Sequence, residues 1–187
     1  MAVDALNEPR VTGENVIART KFLEFKEYTY LNKFGDERRW CLVSRVGGRR
    51  AVMIVPFFGD KLVVTREFRV PVGNWCYSFP AGLIDDGEDA AEAARRELRE
   101  ETGLEIRRVL SVSPPLYNSP GLTDEAVTLV YAEVGGELSR AGLEPDEAIE
   151  TLLLDRDGVA AVMRDDESCI GAKAWMEFYH FVNDRQQ

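Results

Sequence analysis

Short runs of β-branched and aromatic residues, separated by turn residues, occupy the first third of the chain. The runs comprise residues 21–31, 40–46, 51–58 and 61–68. Glycine, asparagine and aspartate stand between them, where the chain must reverse direction. Residues 57–61 (FFGDK) are typical of a tight hairpin. The pattern therefore predicts an antiparallel meander of consecutive strands.

The pattern changes to a helical one at residues 89–102 (DAAEAARRELREET), which contain neither glycine nor proline. Asp89, or Asp86 just upstream, is suited to cap the first turn because its carboxylate accepts hydrogen bonds from free backbone N–H groups. Gly103 follows as a residue that commonly ends a helix. We predict a helix over these residues.

The second half alternates between both patterns. Strand-like runs return at residues 109–112, 125–134 and 148–154, and residues 157–164 have helical spacing. A further helical stripe is formed by Ile170, Ala174, Phe178 and Phe181. These elements predict an α+β fold, with an N-terminal antiparallel β subregion over residues 1–50 and the main domain over residues 51–187.

The chain of 187 residues is strongly acidic, with 23 Lys and Arg against 33 Asp and Glu and a net charge of −10. Nucleic-acid backbones and anionic membranes both require basic partners, so neither is an expected ligand. An anionic substrate would require a local reversal of the field, for which a bound divalent metal ion is suited. We find no apolar run of about 20 residues and no signal peptide, and we expect a cytoplasmic protein.

The three cysteines Cys41, Cys76 and Cys169 are widely spaced and odd in number, and no Cys-x-x-Cys pair occurs. This pattern supports neither a disulfide framework nor a structural zinc site. We expect three free thiols in a reducing compartment.

The predicted helix carries three closely spaced glutamates, Glu97, Glu100 and Glu101, beside an apolar stripe that contains Leu98. At 100° per residue the glutamates spread over about 100° of one face. Glu97 and Glu101 are neighbours of like charge, which destabilises the helix unless a cation neutralises them. Carboxylate oxygens in this arrangement suit Mg²⁺ or Mn²⁺, and the alternative is a solvated face paired with arginines.

The surrounding residues decide between these alternatives, because every fixed position of the pattern G-x5-E-x7-R-E-U-x-E-E-x-G-U is occupied, with U a bulky aliphatic residue. The residues are Gly82, Glu88, Arg96, Glu97, Leu98, Glu100, Glu101, Gly103 and Leu104. A chance match at one starting position is on the order of 10⁻¹⁰ at average residue usage. Residues 82–104, called the box from here on, resemble the signature of the Nudix hydrolases. Those enzymes cleave a nucleoside diphosphate linked to another moiety.

The flanking segments refine the resemblance. Three segments are similar to the ADP-ribose pyrophosphatase subgroup, namely residues 67–73 (EFRVPVG), 78–85 (SFPAGLID) and 119–125 (SPGLTDE). In the last segment, Pro120 lies 16 residues after Leu104, and a proline at this position is similar to the same subgroup. The resemblance implies an α/β/α sandwich with a mixed β-sheet, and metal-dependent hydrolysis of ADP-ribose or a related nucleotide sugar to AMP and a sugar phosphate. The alternatives are a GDP-mannose or broad nucleotide-sugar pyrophosphatase and a non-catalytic sensor of nucleotide sugars.

The resemblance also implies roles for residues around the box. Glu97, Glu100, Glu101 and the backbone carbonyl of Ala81 correspond to metal ligands for Mg²⁺ or Mn²⁺. Arg96 corresponds to an orienting partner of the glutamates. Glu88 is either structural or a ligand through water.

A base that deprotonates the attacking water is expected outside the metal ligands. In the subgroup it is a glutamate on a loop after the box, and Glu147 matches that position best. Glu144 and Asp146 on the same acidic loop are the alternatives, followed by Glu97 or Glu100 in the box.

Substrate contacts are expected from four residues that precede the box. Arg69 lies before Pro71 at the end of a predicted strand, where its guanidinium suits a phosphate or forms a surface ion pair. By resemblance, Arg45 contacts phosphate or ribose, and Trp40 and Phe22 stack on the base, although Phe22 equally suits hydrophobic packing. The aromatic residues 22–30 and the subgroup resemblance predict a homodimer formed by the N-terminal strands.

Overall fold

A computed structural model describes residues 7–48, 50–143 and 148–183. The chain divides into two compact units. The first comprises residues 1–50 together with residues 116–127, and the second comprises residues 51–115 and 128–187. The sequence analysis placed residues 116–127 with the main domain, whereas here they belong to the N-terminal unit.

The first unit is built on a three-stranded antiparallel sheet. Its strands are β1 (Arg10–Arg19), β2 (Leu23–Leu31) and β3 (Glu37–Arg45), paired in the order β1-β2-β3. The register of β2 and β3 is unbroken from the Leu23–Arg45 pair to the Leu31–Glu37 pair, whereas β1 carries two irregularities. The antiparallel pairing predicted for residues 21–31 and 40–46 is confirmed, whereas the predicted strands at residues 51–58 and 61–68 belong to a different sheet. Strand β1, which the sequence pattern did not indicate, completes an N-terminal meander of three strands.

The described residues of the second unit form a mixed sheet and three helices. After β3, the chain continues with β4 (Ala51–Phe58), β5 (Lys61–Arg69), β6 (Asn74–Ser78), β7 (Ala81–Leu83), α1 (Ala90–Thr102), β8 (Glu105–Val112), β9 (Leu116–Tyr117), β10 (Ala126–Gly135), β11 (Ile149–Leu154), α2 (Arg156–Arg164), β12 (Cys169–Ile170) and α3 (Ala172–Asn183). Of these elements, β9 and the start of β10 belong to the first unit. The main strand order is β12-β6-β5-β4-β10-β8. Strand β12 pairs with β6 in parallel, whereas β11 with β5 and β7 with β4 are antiparallel, so the sheet is mixed and the predicted α+β class is confirmed.

The β4–β5 hairpin separates two groups of strands. The predicted tight turn lies at Gly59, and β4 and β5 pair only beside it, at Phe57–Leu62 and Phe58–Lys61. Beyond the turn, β5 pairs with β6 and β11, whereas β4 pairs with β7 at the start of the box. Because β4 diverges from β5, the strand at the start of the box, β7, pairs with β4. The strand after the acidic loop, β11, pairs with β5.

Helix α1 begins and ends as its sequence predicts. The Asp89 carboxylate accepts hydrogen bonds from two backbone N–H groups of the first turn at 2.8 Å, and the Glu92 side chain accepts from the Asp89 N–H at 2.9 Å. Gly103 ends the helix in the left-handed conformation, with φ 76°. Its apolar stripe, which includes Leu98 at 0% exposure, packs into a core with strands β4, β8 and β10.

The C-terminal elements correct two expectations. Cys76 and Cys169 are not free thiols but form a disulfide, because the parallel pairing of β12 with β6 makes them direct neighbours with Cα atoms 4.6 Å apart. Cys41 is exposed and free. Ile170 lies in β12 rather than in the C-terminal helix, and the helical stripe begins instead at Ala174 and continues through Phe178, both buried.

Within the described parts of the chain, none of the helices combines the length and the apolar character needed to cross a membrane.

Candidate active site

A single arginine organises the acidic face of α1. The Arg96 guanidinium donates from Nη1 to Glu97 Oε1 at 2.7 Å and to Glu100 Oε2 at 3.3 Å. Its Nε and Nη2 atoms donate to the two carboxylate oxygens of Glu88 at 2.9 and 2.8 Å. Nη2 also donates to the Leu83 carbonyl at 2.9 Å. Arg96 therefore ties the loop before the helix to the glutamates on it, as a planar fork of donors allows.

Glu88 is the most strongly held carboxylate of this cluster. The Arg96 guanidinium, and then the Asp85 N–H group that donates to it at 3.0 Å, lower the pKa of Glu88 to about 2. Hydrogen bonds to the ionised form favour it, so Glu88 is a carboxylate throughout the neutral range. Its contacts are those of a structural residue that fixes the loop.

Glu97 and Glu101 lie against the backbone of strand β7. A Cβ atom at position 82 would overlap the Glu97 carboxylate, so only glycine permits this approach. Glu101 is 7% exposed, and its Oε1 accepts a hydrogen bond from the Ala81 N–H at 3.4 Å. The structure therefore brings Ala81, Glu97 and Glu101 together, with Glu100 linked to them through Arg96.

The donors at this place have the chemistry that a hard divalent cation requires, because they are carboxylate oxygens beside a backbone that glycine leaves open. Across residues 7–48, 50–143 and 148–183, however, no three His, Cys, Asp or Glu side chains are gathered in the arrangement of a metal site. Glu97 and Glu100 are held by Arg96 instead. The ligand set of Ala81, Glu97, Glu100 and Glu101 stays a prediction.

The predicted base Glu147, together with Glu144 and Asp146, lies outside the described residues. The residues on either side are described. Gly142 packs so closely on α1 that an added Cβ would lie 2.7 Å from the Glu100 carbonyl oxygen. On the other side, the Ala148 carbonyl accepts a hydrogen bond from Phe68 N–H at 3.3 Å. The acidic loop thus departs beside the box helix and returns beside β5.

Arg69, at the end of β5, pairs with Glu67. The distance from Arg69 Nη2 to Glu67 Oε2 is 2.7 Å, and the arginine side chain is 47% exposed. This contact is the surface ion pair that the sequence left open as the alternative. The role of Arg69 in phosphate binding stays a prediction.

The remaining predicted residues lie in the first unit. Trp40 lines a cavity of about 520 Å³, and its indole N–H donates to the Gly121 carbonyl at 3.2 Å. Arg45 Nε donates to Glu125 Oε1 at 2.6 Å. Phe22 is 66% exposed and does not line this cavity.

The cavity contains residues that the sequence analysis missed. Tyr28 is the cross-strand partner of Trp40, and Tyr30 and Leu42 follow on the same face of the sheet by strand alternation. Asp124 adds a carboxylate, which accepts a hydrogen bond from the Ser44 hydroxyl at 2.7 Å. The signal in the sequence was the alternation of Tyr28 with Tyr30, which became informative only once the β2–β3 register was known.

Comparison with known proteins is consistent with this geometry. The NUDIX domain pattern matches residues 47–177. The chain belongs to the NUDIX domain family. A solved structure described as an ADP compounds hydrolase superposes with a TM-score of 0.75 over 96% of this chain and 94% of its own, at 24% identity. The Nudix fold predicted for the chain is thus confirmed.

Curated relatives share the family at higher identity. An ADP-sugar pyrophosphatase of Mus musculus is 35% identical over 68% of this chain and 62% of its own length. An ADP-ribose pyrophosphatase of Saccharomyces cerevisiae is 35% identical over 70% of this chain and 62% of its own length. ADP compounds hydrolase NudE of Escherichia coli is 35% identical over 62% of this chain and 64% of its own length. The Nudix chain therefore spans less than two thirds of each of these relatives.

Proposed function

We propose that this Nudix chain hydrolyses the pyrophosphate bond of ADP-ribose or a related nucleoside diphosphate sugar, giving AMP and a sugar phosphate. The observation that carries the proposal is the complete box, with Glu97 and Glu101 held against the backbone of residues 81–82. The relatives named for ADP-ribose and ADP-sugars support the choice of substrate.

The reaction requires a divalent cation, for which Mg²⁺ or Mn²⁺ suits the oxygen donors. When bound, such ions neutralise pyrophosphate charge and lower the pKa of the attacking water. Glu97, Glu100, Glu101 and the Ala81 carbonyl would hold them. Arg96 orients Glu97 and Glu100, and through Glu88 it keeps the loop and the helix in one arrangement.

The proton of the attacking water must go to a base within hydrogen-bond reach. Glu147 is proposed for this role, with Glu144 and Asp146 as alternatives. The two described ends of the loop support the proposal, since one adjoins Glu100 and the other adjoins Phe68 of β5. Glu147→Gln should lower kcat about 10²- to 10⁴-fold with little change in KM. Glu144→Gln and Asp146→Asn are the controls for loss of loop charge.

The base of the nucleotide is proposed to bind in the cavity of the first unit. Trp40 and Tyr28 offer aromatic surface for stacking, and the Asp124 carboxylate offers an acceptor for an exocyclic amino group. Arg45 and Arg69 remain the proposed contacts of phosphate or ribose.

The central test is the turnover of Glu101→Gln. The variant keeps the shape of the side chain and removes its charge, so the fold should persist while activity falls by at least about 100-fold, as expected when a ligand of a catalytic cation is lost. Glu92→Gln is the matched control, because it lies on the same helix, changes the same charge and preserves a capping-box acceptor. Turnover of Glu101→Gln close to that of the wild type would overturn the proposal.

The substrate is tested by phosphate release, coupled to a phosphatase, over ADP-ribose, ADP-glucose, GDP-mannose, diadenosine polyphosphates and NADH, each with Mg²⁺ or Mn²⁺. A preference for GDP-mannose would replace the proposed substrate. Binding of nucleotide sugars without turnover would favour the sensor.

We also propose a homodimer formed by the N-terminal strands. Exposed apolar side chains on β1 and β2 support it, among them Val11 at 60%, Ile17 at 49% and Phe25 at 41% exposure. Burial of such a patch in a second copy is favourable. Light scattering should give twice the chain mass of 21.1 kDa, and a mass of 21.1 kDa at micromolar concentration would contradict the dimer. The cytoplasmic location stays a prediction.

A further inference from the structure

A second cavity lies in the larger unit, of about 640 Å³, and none of its lining residues belongs to the box. Its floor is formed by Val55 and Phe57 of β4 and by Leu62 of β5. Val52 of the same strand pairs with Gly82 at the start of the box. Val55 and Phe57 lie three and five residues further along β4, which is roughly 10 and 16 Å at about 3.3 Å per residue. The cavity is therefore separate from the proposed active site.

Five polar side chains line this cavity, namely Asp60, Tyr131, Arg156, Glu177 and His180. The Glu177 carboxylate accepts a hydrogen bond from the Tyr131 hydroxyl at 2.8 Å, and Asp60 stands on the β4–β5 turn at the cavity wall. Burial and the neighbouring Glu177 raise the pKa of Tyr131 to about 12, so the phenol stays protonated and donates. An ionised carboxylate has about four acceptor positions, so Glu177 can accept further hydrogen bonds beside that of Tyr131.

The one guanidinium of the cavity is oriented toward the protein. Arg156 Nη1 donates to the carbonyl oxygens of Phe181 and Val182 at 2.5 and 3.3 Å, and its guanidinium lies 5.3 Å from the centre of the Phe181 ring. His180 also lines the cavity and is counted as neutral at pH 7. At that pH two carboxylates stand against one cation, which already compensates the carboxyl end of α3. The cavity favours a cationic ligand over an anionic one.

We propose that this cavity binds an organic ammonium ion with an apolar or aromatic body. The ammonium group would donate to Glu177, with Asp60 as a second, more exposed acceptor, and the body would pack on Phe57, Leu62 and Phe181. A charge-assisted hydrogen bond combined with apolar burial is the usual basis of small-ligand recognition in cavities of this size. This ligand class differs in charge from the nucleotide sugar, so the proposal does not rest on the proposed activity.

The test uses protonated 2-phenylethylamine as the probe, with neutral 2-phenylethanol and anionic 3-phenylpropionate as matched compounds of similar shape. Titration calorimetry of the full chain should show binding of the amine and weaker or no binding of the other two. Glu177→Gln keeps an acceptor for Tyr131 but removes the charge, and it should weaken amine binding by about tenfold or more. Asp60→Asn should have a smaller effect, because Asp60 is exposed.

Two controls separate this site from general effects. Glu167→Gln makes the same change of charge at an exposed residue that does not line the cavity, and it should leave amine binding unchanged. Glu101→Gln should also leave it unchanged, because the box does not contribute to the cavity. The proposal is overturned if 2-phenylethanol binds as tightly as 2-phenylethylamine, or if no binding of the amine occurs at millimolar concentration. It is also overturned if the Glu177→Gln variant binds 2-phenylethylamine with wild-type affinity.

Discussion

Helix α1 and the N-terminal meander are stabilised in opposite ways. Leu98, Ala93 and Ala94 of α1 are completely buried. On its other face, Arg96 donates hydrogen bonds to Glu97 and Glu100. Of the hydrophobic side chains in residues 7–48, only Leu42 is buried. The meander relies instead on backbone pairing and on cross-strand ion pairs such as Lys26 with Glu14 at 2.8 Å.

The difference assigns separate tasks to the two regions. A fully packed helix holds its carboxylates in fixed positions, which is what a metal site requires. A sheet with exposed faces has apolar and aromatic side chains available for a ligand or a second copy of the chain. Substitutions of the buried apolar residues of α1 should therefore reduce stability and turnover together, whereas substitutions in the meander should mainly change binding.

The largest expected effect on stability is that of Leu98→Ala. Removal of a completely buried leucine leaves a cavity, and we expect a loss of about 2–5 kcal/mol in the free energy of unfolding. Val16→Ala in the meander is the matched comparison, because Val16 is 41% exposed, and it should change stability by about 0.5 kcal/mol or less. Urea denaturation measures both, and equal losses would show that the comparison between the two regions is wrong.

Trp40→Ala should change substrate binding more than stability. Loss of one stacking surface should raise KM for ADP-ribose by roughly tenfold while kcat changes little. Phe22→Ala serves as the control, since Phe22 is more exposed and lies outside the cavity. If Phe22→Ala raises KM as much as Trp40→Ala does, the base does not bind in the proposed cavity.

Asp89→Ala should destabilise α1 from its first turn. The substitution removes the acceptor for two backbone N–H groups and should cost about 1 kcal/mol. Thermal unfolding monitored by circular dichroism measures the change. Asp89→Ser, which restores an oxygen acceptor, should recover most of the loss, and failure to do so would mean that the cap is not the cause.

The smallest effect concerns the acid range. The pKa of Glu88 is lowered from 4.5 to about 2 by Arg96 and the Asp85 N–H, so this contact stabilises the fold fully above pH 4.5. The contribution is lost as the pH falls through about 2, because protonation removes the charge. Nuclear magnetic resonance titration should show Glu88 with a midpoint near 2, and the midpoint should rise in Arg96→Ala. A wild-type midpoint near 4.5 would contradict the ion pair.

Features that depend on neighbouring residues in the sequence were predictable. The capping of α1 by Asp89, its end at Gly103 and its buried apolar stripe all depend on residues close together in the sequence. The same is true of the glutamates of the box, because their spacing along one helix determines which face they share. Strand β1 was missed because nine of its ten residues are exposed, so neither face carries a hydrophobic alternation. Strands of two or three residues, such as β7 and β12, exist only through their partners.

Contacts between distant residues were not predictable from one sequence. Cys76 and Cys169 are 93 positions apart, and nothing local indicates that β12 returns beside β6. The pairing of Arg69 with Glu67 was left open for a different reason, since an exposed arginine has several acceptors within reach. The cavity around Trp40 required the β2–β3 register, which places Tyr28 opposite it.

The disulfide also determines how the chain would respond to mechanical force. A pull on the two termini is transmitted through the covalent link between Cys76 and Cys169, which are 93 positions apart, so the residues between them bear no tension. At about 3.5 Å per residue, roughly 330 Å of contour length stays hidden until the link is reduced. The whole of α1 and the box lies within this shielded segment, and single-molecule extension should lengthen the oxidised chain only by the residues outside it.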